Sequence, residues 1–247
     1  MRHPENHPPS TARALAARFL DGLLPPTCLL CGASADSHGL CRPCRTDLPR
    51  LAGGCRQCAL PGPPPGRLCG ACLRRPPGFR SAAAVLAYTY PVDRLVWQFK
   101  FRRQLAAGHL LAGELATGLA ERITWRPDAL VPVPLHFVRR AKRGFNQSEL
   151  LAWRLGSVLE MPVDCGLLRR ARATSAQSGL DLRSRRRNLR GAFRCGGAAG
   201  RRIALVDDVL TTGTTLNECA RTLLKAGAVE VAAWVVARVP APWQPRI

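Results

Sequence analysis

Apolar and polar positions fall into blocks that read alternately as strands and helices. Ile203-Ala204-Leu205-Val206 is a short apolar run containing β-branched residues, as expected of a parallel strand buried on both faces. Leu216, Ala220, Leu223 and Leu224 follow at helical spacing, with Thr214 or Thr215 available to cap the helix start and Gly227 to stop it. Residues 82–88, 129–133 and 229–236 read as further strands, and Pro134 ends the second because proline cannot continue a ladder. Helices are expected over 92–99, 105–123 and about 150–159. The middle one carries Gly108, Gly113 and Gly118, each costing about 1 kcal/mol against alanine, so tertiary packing must hold it. Residues 11–24, with Leu15, Phe19 and Leu23 four apart, read as a short amphipathic helix. Residues 166–194 have little apolar periodicity, and so long a connection suggests a lid or binding segment. The alternation predicts an α/β domain with a mostly parallel sheet.

Cysteine spacing adds a second module. Eight of the eleven cysteines form four CxxC pairs: Cys28/Cys31, Cys41/Cys44, Cys55/Cys58 and Cys69/Cys72. A CxxC turn aims two thiolates at one tetrahedral metal, and a second such turn completes the set, so two structural Zn²⁺ ions are expected, with redox chemistry or a single-metal site as the alternatives. Pairing first with second and third with fourth is simplest, although spacing leaves an interleaved arrangement open. Loops rich in Gly and Pro cannot build a core, so metal would supply the folding energy of this segment. His38 reads as a loop residue, and the isolated Cys165, Cys195 and Cys219 as structural.

The chain has 247 residues and a formal charge of +21, mostly from arginine. Eight zinc-bound thiolates would leave it strongly basic, which predicts attraction to polyanions that weakens with salt. An arginine-rich composition is also what a GC-rich genome produces, and a phosphate site needs cations too, so charge alone supports nucleic-acid binding only weakly. Nine arginines lie between 166 and 194 against one acid, Asp181. No apolar run approaches the roughly 20 residues that span a bilayer, and Arg18 and Asp21 break the only leucine-rich stretch near the N-terminus. A cytoplasmic protein without a membrane span is expected.

Candidate chemistry concentrates at Val206-Asp207-Asp208-Val209-Leu210-Thr211-Thr212-Gly213-Thr214-Thr215. A Gly-Thr loop between strand and helix offers backbone N–H groups and hydroxyls at the positive end of a helix dipole, which suits a phosphate monoester. Two adjacent carboxylates stay ionised only if cations or several donors face them. A sugar diol with Mg²⁺ would supply both, so the pattern points to a ribose 5-phosphate with its hydroxyls on Asp207 and Asp208. The alternatives are a capped turn with solvated acids and a Walker B strand, for which the chain has no GxxxxGK[ST] partner.

This segment resembles the 5-phosphoribosyl 1-pyrophosphate (PRPP) motif of type I phosphoribosyltransferases. The chain from about residue 23 to 239 is similar to the ComF family of bacterial competence-related proteins. Three further stretches carry the likeness: Val131-Pro132-Val133-Pro134 with Arg143-Gly144-Phe145-Asn146-Gln147; Thr174 and Gln177 followed by Arg185, Asn188 and Gly191-Ala192-Phe193; and the CxxC series. The resemblance implies a type I phosphoribosyltransferase sheet over 79–240, a double zinc ribbon over 27–78, a helix or tail over 1–26 and a tail over 241–247. It implies that Asp207 and Asp208 hold the ribose diol, that Thr211, Thr212, Gly213, Thr214 and Thr215 cradle the 5-phosphate, and that Mg²⁺ accompanies PRPP. Lys100 resembles a recurrent family lysine near the ligand, with a solvated cap as the alternative. Arg139, Arg140, Lys142 and Arg143, joined by Asn146 and Gln147 at a helix start, would face pyrophosphate, with Arg143 assisting its departure. Residues 166–194 correspond to a flexible hood, with Thr174, Gln177, Arg185 and Asn188 at recurring positions. The acceptor is unidentified. Single-stranded DNA or another nucleic acid and proteins of the competence machinery are implied as partners, and a noncatalytic nucleic-acid-binding factor with a regulatory or vestigial PRPP site is the alternative to an enzyme.

Overall fold

The computed structural model describes residues 26–36, 39–64, 66–123, 125–135, 140–141, 143–171 and 189–240. The helix expected over 11–24, His38, Arg139, Lys142 and the hood positions Thr174, Gln177, Arg185 and Asn188 lie outside them. The chain divides into two compact units, 1–47 and 48–247.

The first unit contains a tight CxxC turn, in which Gly32 N–H donates to Cys28 O at 2.9 Å, and the short helix α1 (Arg42–Thr46), entered through Cys41. Its buried side chains among the described residues are Cys28 and Leu40. Among the described residues, the cysteine cluster is therefore the main tie within this unit.

The second unit opens with another cysteine turn and α2 (Gly70–Arg74), entered through Cys69. There follow β1 (Ser81–Ala87), α3 (Val92–Phe101), α4 (Leu105–Ala120), β2 (Ala129–Pro132), α5 (Gln147–Leu159), β3 (Leu168–Arg170), β4 (Phe193–Cys195), β5 (Arg202–Leu210), α6 (Thr214–Lys225) and β6 (Glu230–Arg238). The main sheet has the order β1-β6-β5-β2, and every pairing in it is parallel. Its central strands are almost wholly buried, which explains why they read as continuous apolar runs. β3 and β4 pair antiparallel in a separate two-stranded ribbon that brackets residues 172–188.

The glycines of α4 have the tertiary reason that propensity lacks. A Cβ at Gly108 would collide with the ring of Phe99, and one at Gly118 would press into Val85. The helix thus gives up intrinsic stability for close approach to α3 and β1. No described helix is long and apolar enough to cross a membrane.

Four local expectations are corrected. β5 runs on through Asp207 and Asp208 to Leu210, so the acids sit within the strand's last turn of pleat rather than beyond it. Lys100 belongs to the last turn of α3 rather than the turn after it. Neither Thr214 nor Thr215 caps α6: the N-cap is Gly213 at φ 73°, ψ 4°, a left-handed conformation that suits glycine, with no side-chain cap. Leu224, counted in the apolar stripe, is exposed, whereas Leu216, Ala220 and Leu223 are buried.

Candidate functional site

The pleat separates the two acids. Successive strand residues face opposite sides, so Asp207 follows Ile203 and Leu205, which pack in the same core as Leu216, Cys219 and Leu223 of α6, and Asp208 turns the other way. Each then meets its own partner. Lys100 Nζ lies 2.8 Å from Asp208 Oδ2, and that carboxylate is only 7% exposed. Asp207 Oδ1 accepts from Ser148 Oγ at 2.9 Å and from Asp208 N–H at 2.9 Å. The cation required by the acids is therefore built into the protein. Burial would lower the Lys100 pKa, but the Asp208 carboxylate outweighs it and the ammonium is held above its ordinary range.

Asp207 goes the other way. Burial first, and then the charge of Asp208, raise it from 3.8 to about 7, against the opposing pull of Lys100 and its hydrogen bonds. In the unfolded chain it ionises near its ordinary value, so the folded state keeps its proton to higher pH. Its contribution to stability is full below about pH 4 and is lost as pH rises through about 7. Asp207→Asn is accordingly expected to be about 1–2 kcal/mol more stable than the parent at pH 8, the shift being discounted for partial solvent access, and no more stable at pH 4. Denaturant melts at the two pH values check this, and equal stability at pH 8 would mean that Asp207 ionises normally.

Beside the acids, the loop 211–215 turns through Gly213 into α6. Thr212 Oγ1 and Thr214 Oγ1 lie 2.9 Å apart, and Thr214 N–H reaches Thr212 Oγ1 only at 3.5 Å. With no side-chain cap, the first-turn N–H groups remain available to an anion. Asp207 and residues 209–216 line a depression of about 40 Å³ there.

A much larger groove of about 1260 Å³ lies elsewhere, between the second cysteine cluster, β4 and α6, and meets the loop only at Thr212–Thr214. The cations lining it are Arg74, Arg75, Arg190, Arg194, Arg221, Lys225 and Arg238, and the one acid in the lining is Glu218. Size does not make it the centre of the ribose chemistry, because neither aspartate lines it.

The loop before α5 is braced against α3. Gly144 takes φ 82°, Phe145 stacks on Phe99 with ring centroids 5.4 Å apart, and the Arg143 guanidinium lies 5.0 Å from the Phe101 ring centroid. Arg140 pairs with Glu149 at 3.1 Å. Asn146, read from sequence as a ligand donor, spends its amide on the fold: Oδ1 accepts from Ser148 N–H and Nδ2 donates to Val133 O. Gln147 is buried, and its Oε1 has no hydrogen-bond partner among the described residues.

Ser148 and Arg238 are the residues that sequence reading missed. Ser148 directly follows the Arg143–Gln147 motif, and that adjacency is the one signal for it. Arg238 is a lone cation closing an apolar strand. It is buried and donates to the carbonyls of Cys58, Leu210, Thr211 and Val239.

The cysteines form two clusters, Cys28/Cys31/Cys41/Cys44 and Cys55/Cys58/Cys69/Cys72, in each of which the sulfurs all lie within 4.8 Å of one another. Of the pairings left open, the structure has first with second and third with fourth. Burial would raise the Cys28 thiol, but N–H groups of Cys41, Cys31 and Leu30 bring it down to about 6. At Cys55 the N–H groups of Cys69, Cys58 and Gln57 overcome burial in the same way, to about 7. Cys44, chiefly through Cys41, and Cys72, through burial and then Cys58, are driven upward. Four thiolates so close need a compensating dication, and all-sulfur tetrahedral donors suit structural Zn²⁺.

Residues 19–73 match the double zinc ribbon domain, and residues 105–247 match the phosphoribosyl transferase domain. Among curated proteins, the chain is 39% identical over 222 residues to the DNA utilization protein YhgH of Salmonella typhimurium, covering 87% of this chain and 98% of that one. It is 35% identical to competence protein F of Haemophilus influenzae, over 81% of this chain and 91% of that one. With competence protein ComFC of Bacillus subtilis the identity is 27%, over 85% and 77% respectively. Likeness of this extent, running through both the ribbon and the parallel sheet, establishes that the chain belongs to the ComF family.

Proposed function

We propose that this chain binds PRPP with Mg²⁺ and acts as a phosphoribosyltransferase on an acceptor of unidentified structure. The observation that carries the reading is the pair of aspartates on β5, each held by its own partner, beside an uncapped helix start at Gly213. Asp208, paired with Lys100, and Asp207, oriented by Ser148, accept hydrogen bonds from the ribose hydroxyls. The N–H groups and hydroxyls of Thr211, Thr212, Gly213, Thr214 and Thr215 receive the 5-phosphate at the positive end of α6. Arg143, with Arg140, faces pyrophosphate and stabilises the charge that grows as the bond at C1 of the sugar breaks. Asp207 and Asp208 would stand beside the Mg²⁺ that accompanies PRPP, and the ion would supply charge neutralisation to the pyrophosphate. Gln147, buried and next to Ser148 in the chain, has an Oε1 without a hydrogen-bond partner among the described residues.

Calorimetric titration with PRPP and Mg²⁺ tests the reading. Saturable binding is expected in the parent and a loss of about 100-fold or more in Asp207→Asn/Asp208→Asn, since charge-assisted hydrogen bonds contribute about 1.5–3 kcal/mol each. Equal, weak, salt-sensitive uptake by both proteins would sink it.

The basic groove along α6 favours a second reading, in which the chain binds nucleic acid without transferring a phosphoribosyl group. The names of the relatives, which refer to DNA utilization and competence, lend it support. The two readings separate on the aspartates, because the double variant would leave groove binding of single-stranded DNA intact.

A further inference from the structure

Arg238 ties a zinc site to a ligand loop. It is buried to nine-tenths at the end of β6, opposite Leu210 in the sheet register. Its Nε donates to the carbonyl of Cys58, a member of the second cysteine cluster, at 2.9 Å. Its Nη1 donates to Leu210 O at 2.9 Å and Thr211 O at 2.7 Å, where β5 passes into the phosphate loop. One planar guanidinium therefore spans from a member of the cysteine cluster to the loop's first residue. Lysine, with its single nitrogen, could not make this fork. Among the described residues the guanidinium faces carbonyl oxygens and no carboxylate, so its positive charge is left uncancelled beneath the loop.

Two further contacts run along the same path. Gly78, just after the cluster, donates its N–H to Asn217 Oδ1 in the first turn of α6 at 2.6 Å. The Phe79 ring edge would lie 3.9 Å from a Cβ at Gly213, so it backs the loop's turning point at van der Waals distance. The cluster, the chain leaving it and the loop are thus joined by Arg238, Gly78 and Phe79.

We propose that Arg238 is a positioning residue through which metal occupancy of Cys55/Cys58/Cys69/Cys72 sets the affinity of the 211–215 loop for a phosphorylated ligand. The inference rests on the PRPP reading above. Coupling between sites is reciprocal, so PRPP must also hold zinc more tightly at this cluster.

The experiment uses the full zinc-loaded chain, PRPP with Mg²⁺, and the variants Arg238→Met and Arg238→Lys. Arg238→Met is expected to weaken PRPP binding roughly tenfold while keeping the zinc content and circular dichroism of the parent, and Arg238→Lys to fall between. Saturating PRPP is expected to protect one of the two zinc ions against a competing chelator by about the same factor in the parent and not in Arg238→Met, a response that a merely structural role would not give. If Arg238→Met fails to fold, Arg238→Lys against the parent carries the same comparison. Aspartate-dependent PRPP binding unmoved by either variant, or zinc protection equal in parent and variant, overturns the link. Absence of saturable binding in the parent, or binding that survives Asp207→Asn/Asp208→Asn, instead overturns the ligand reading and the link with it.

Discussion

Replacing Cys72 with serine is expected to lower the thermal midpoint of the full chain by about 10 °C or more and to halve its zinc content. Structural zinc in small domains contributes about 10–16 kcal/mol of apparent binding energy, and that energy is folding energy. Four sulfurs within 4.8 Å of one another repel as thiolates unless a dication joins them, so losing one ligand weakens the whole set. The damage does not stay local. Leu51, Ala59 and Phe79 belong to the same buried cluster as Val131, Leu205 and Cys219, and Leu51 N–H donates to Val85 O alongside β1. A loss of about 4 kcal/mol, at roughly 2–4 °C per kcal/mol for a chain of this size, gives the stated shift. Differential scanning calorimetry with zinc analysis checks it. An unchanged midpoint at half the zinc content would make the second ribbon an appendage.

Lys100→Met is expected to cost about 3–5 kcal/mol near pH 8, most of it regained when Asp208→Asn is added. The substitution removes the cation paired with a carboxylate that is 7% exposed and leaves two acids adjacent on one strand. Breaking such a pair strands a buried charge, whereas neutralising both partners removes the cost. Asp207 would respond as well: Lys100 holds it down at about 7, so its carboxyl should titrate higher in Lys100→Met. Denaturant melts of the parent, both single variants and the double variant measure the coupling. Additive effects would mean that Lys100 and Asp208 do not act as a unit.

The strands were legible because burial on both faces leaves an uninterrupted apolar run, as in Ile203–Val206, and the cysteine clusters because CxxC spacing is itself a geometric instruction. What sequence could not supply was reach. Nothing local says that Lys100, 108 residues before Asp208, ends beside it, or that Ser148 turns toward Asp207. Asn146 misled because an amide at a helix start serves a ligand or a cap equally well until the carbonyl of Val133 is seen opposite it. Thr214 and Thr215 misled for the converse reason: threonine is a good cap, but glycine in a left-handed turn leaves the first turn open. Arg238 carried no motif because its partners are main-chain carbonyls, which every sequence contains.

The strand order carries a consequence for how the molecule is made. β6 is the last of the described strands, yet it lies between β1 and β5. While a ribosome is still extending the polypeptide, β1 has only the short bridge to residues 49–51 and β5 has an open flank, and both wait for residues 230–238 to emerge. The nascent protein therefore passes through a long interval with sticky edges on show, the condition under which chains aggregate or recruit chaperones. The final insertion closes the sheet and, by delivering Arg238, fastens the ligand loop in the same event.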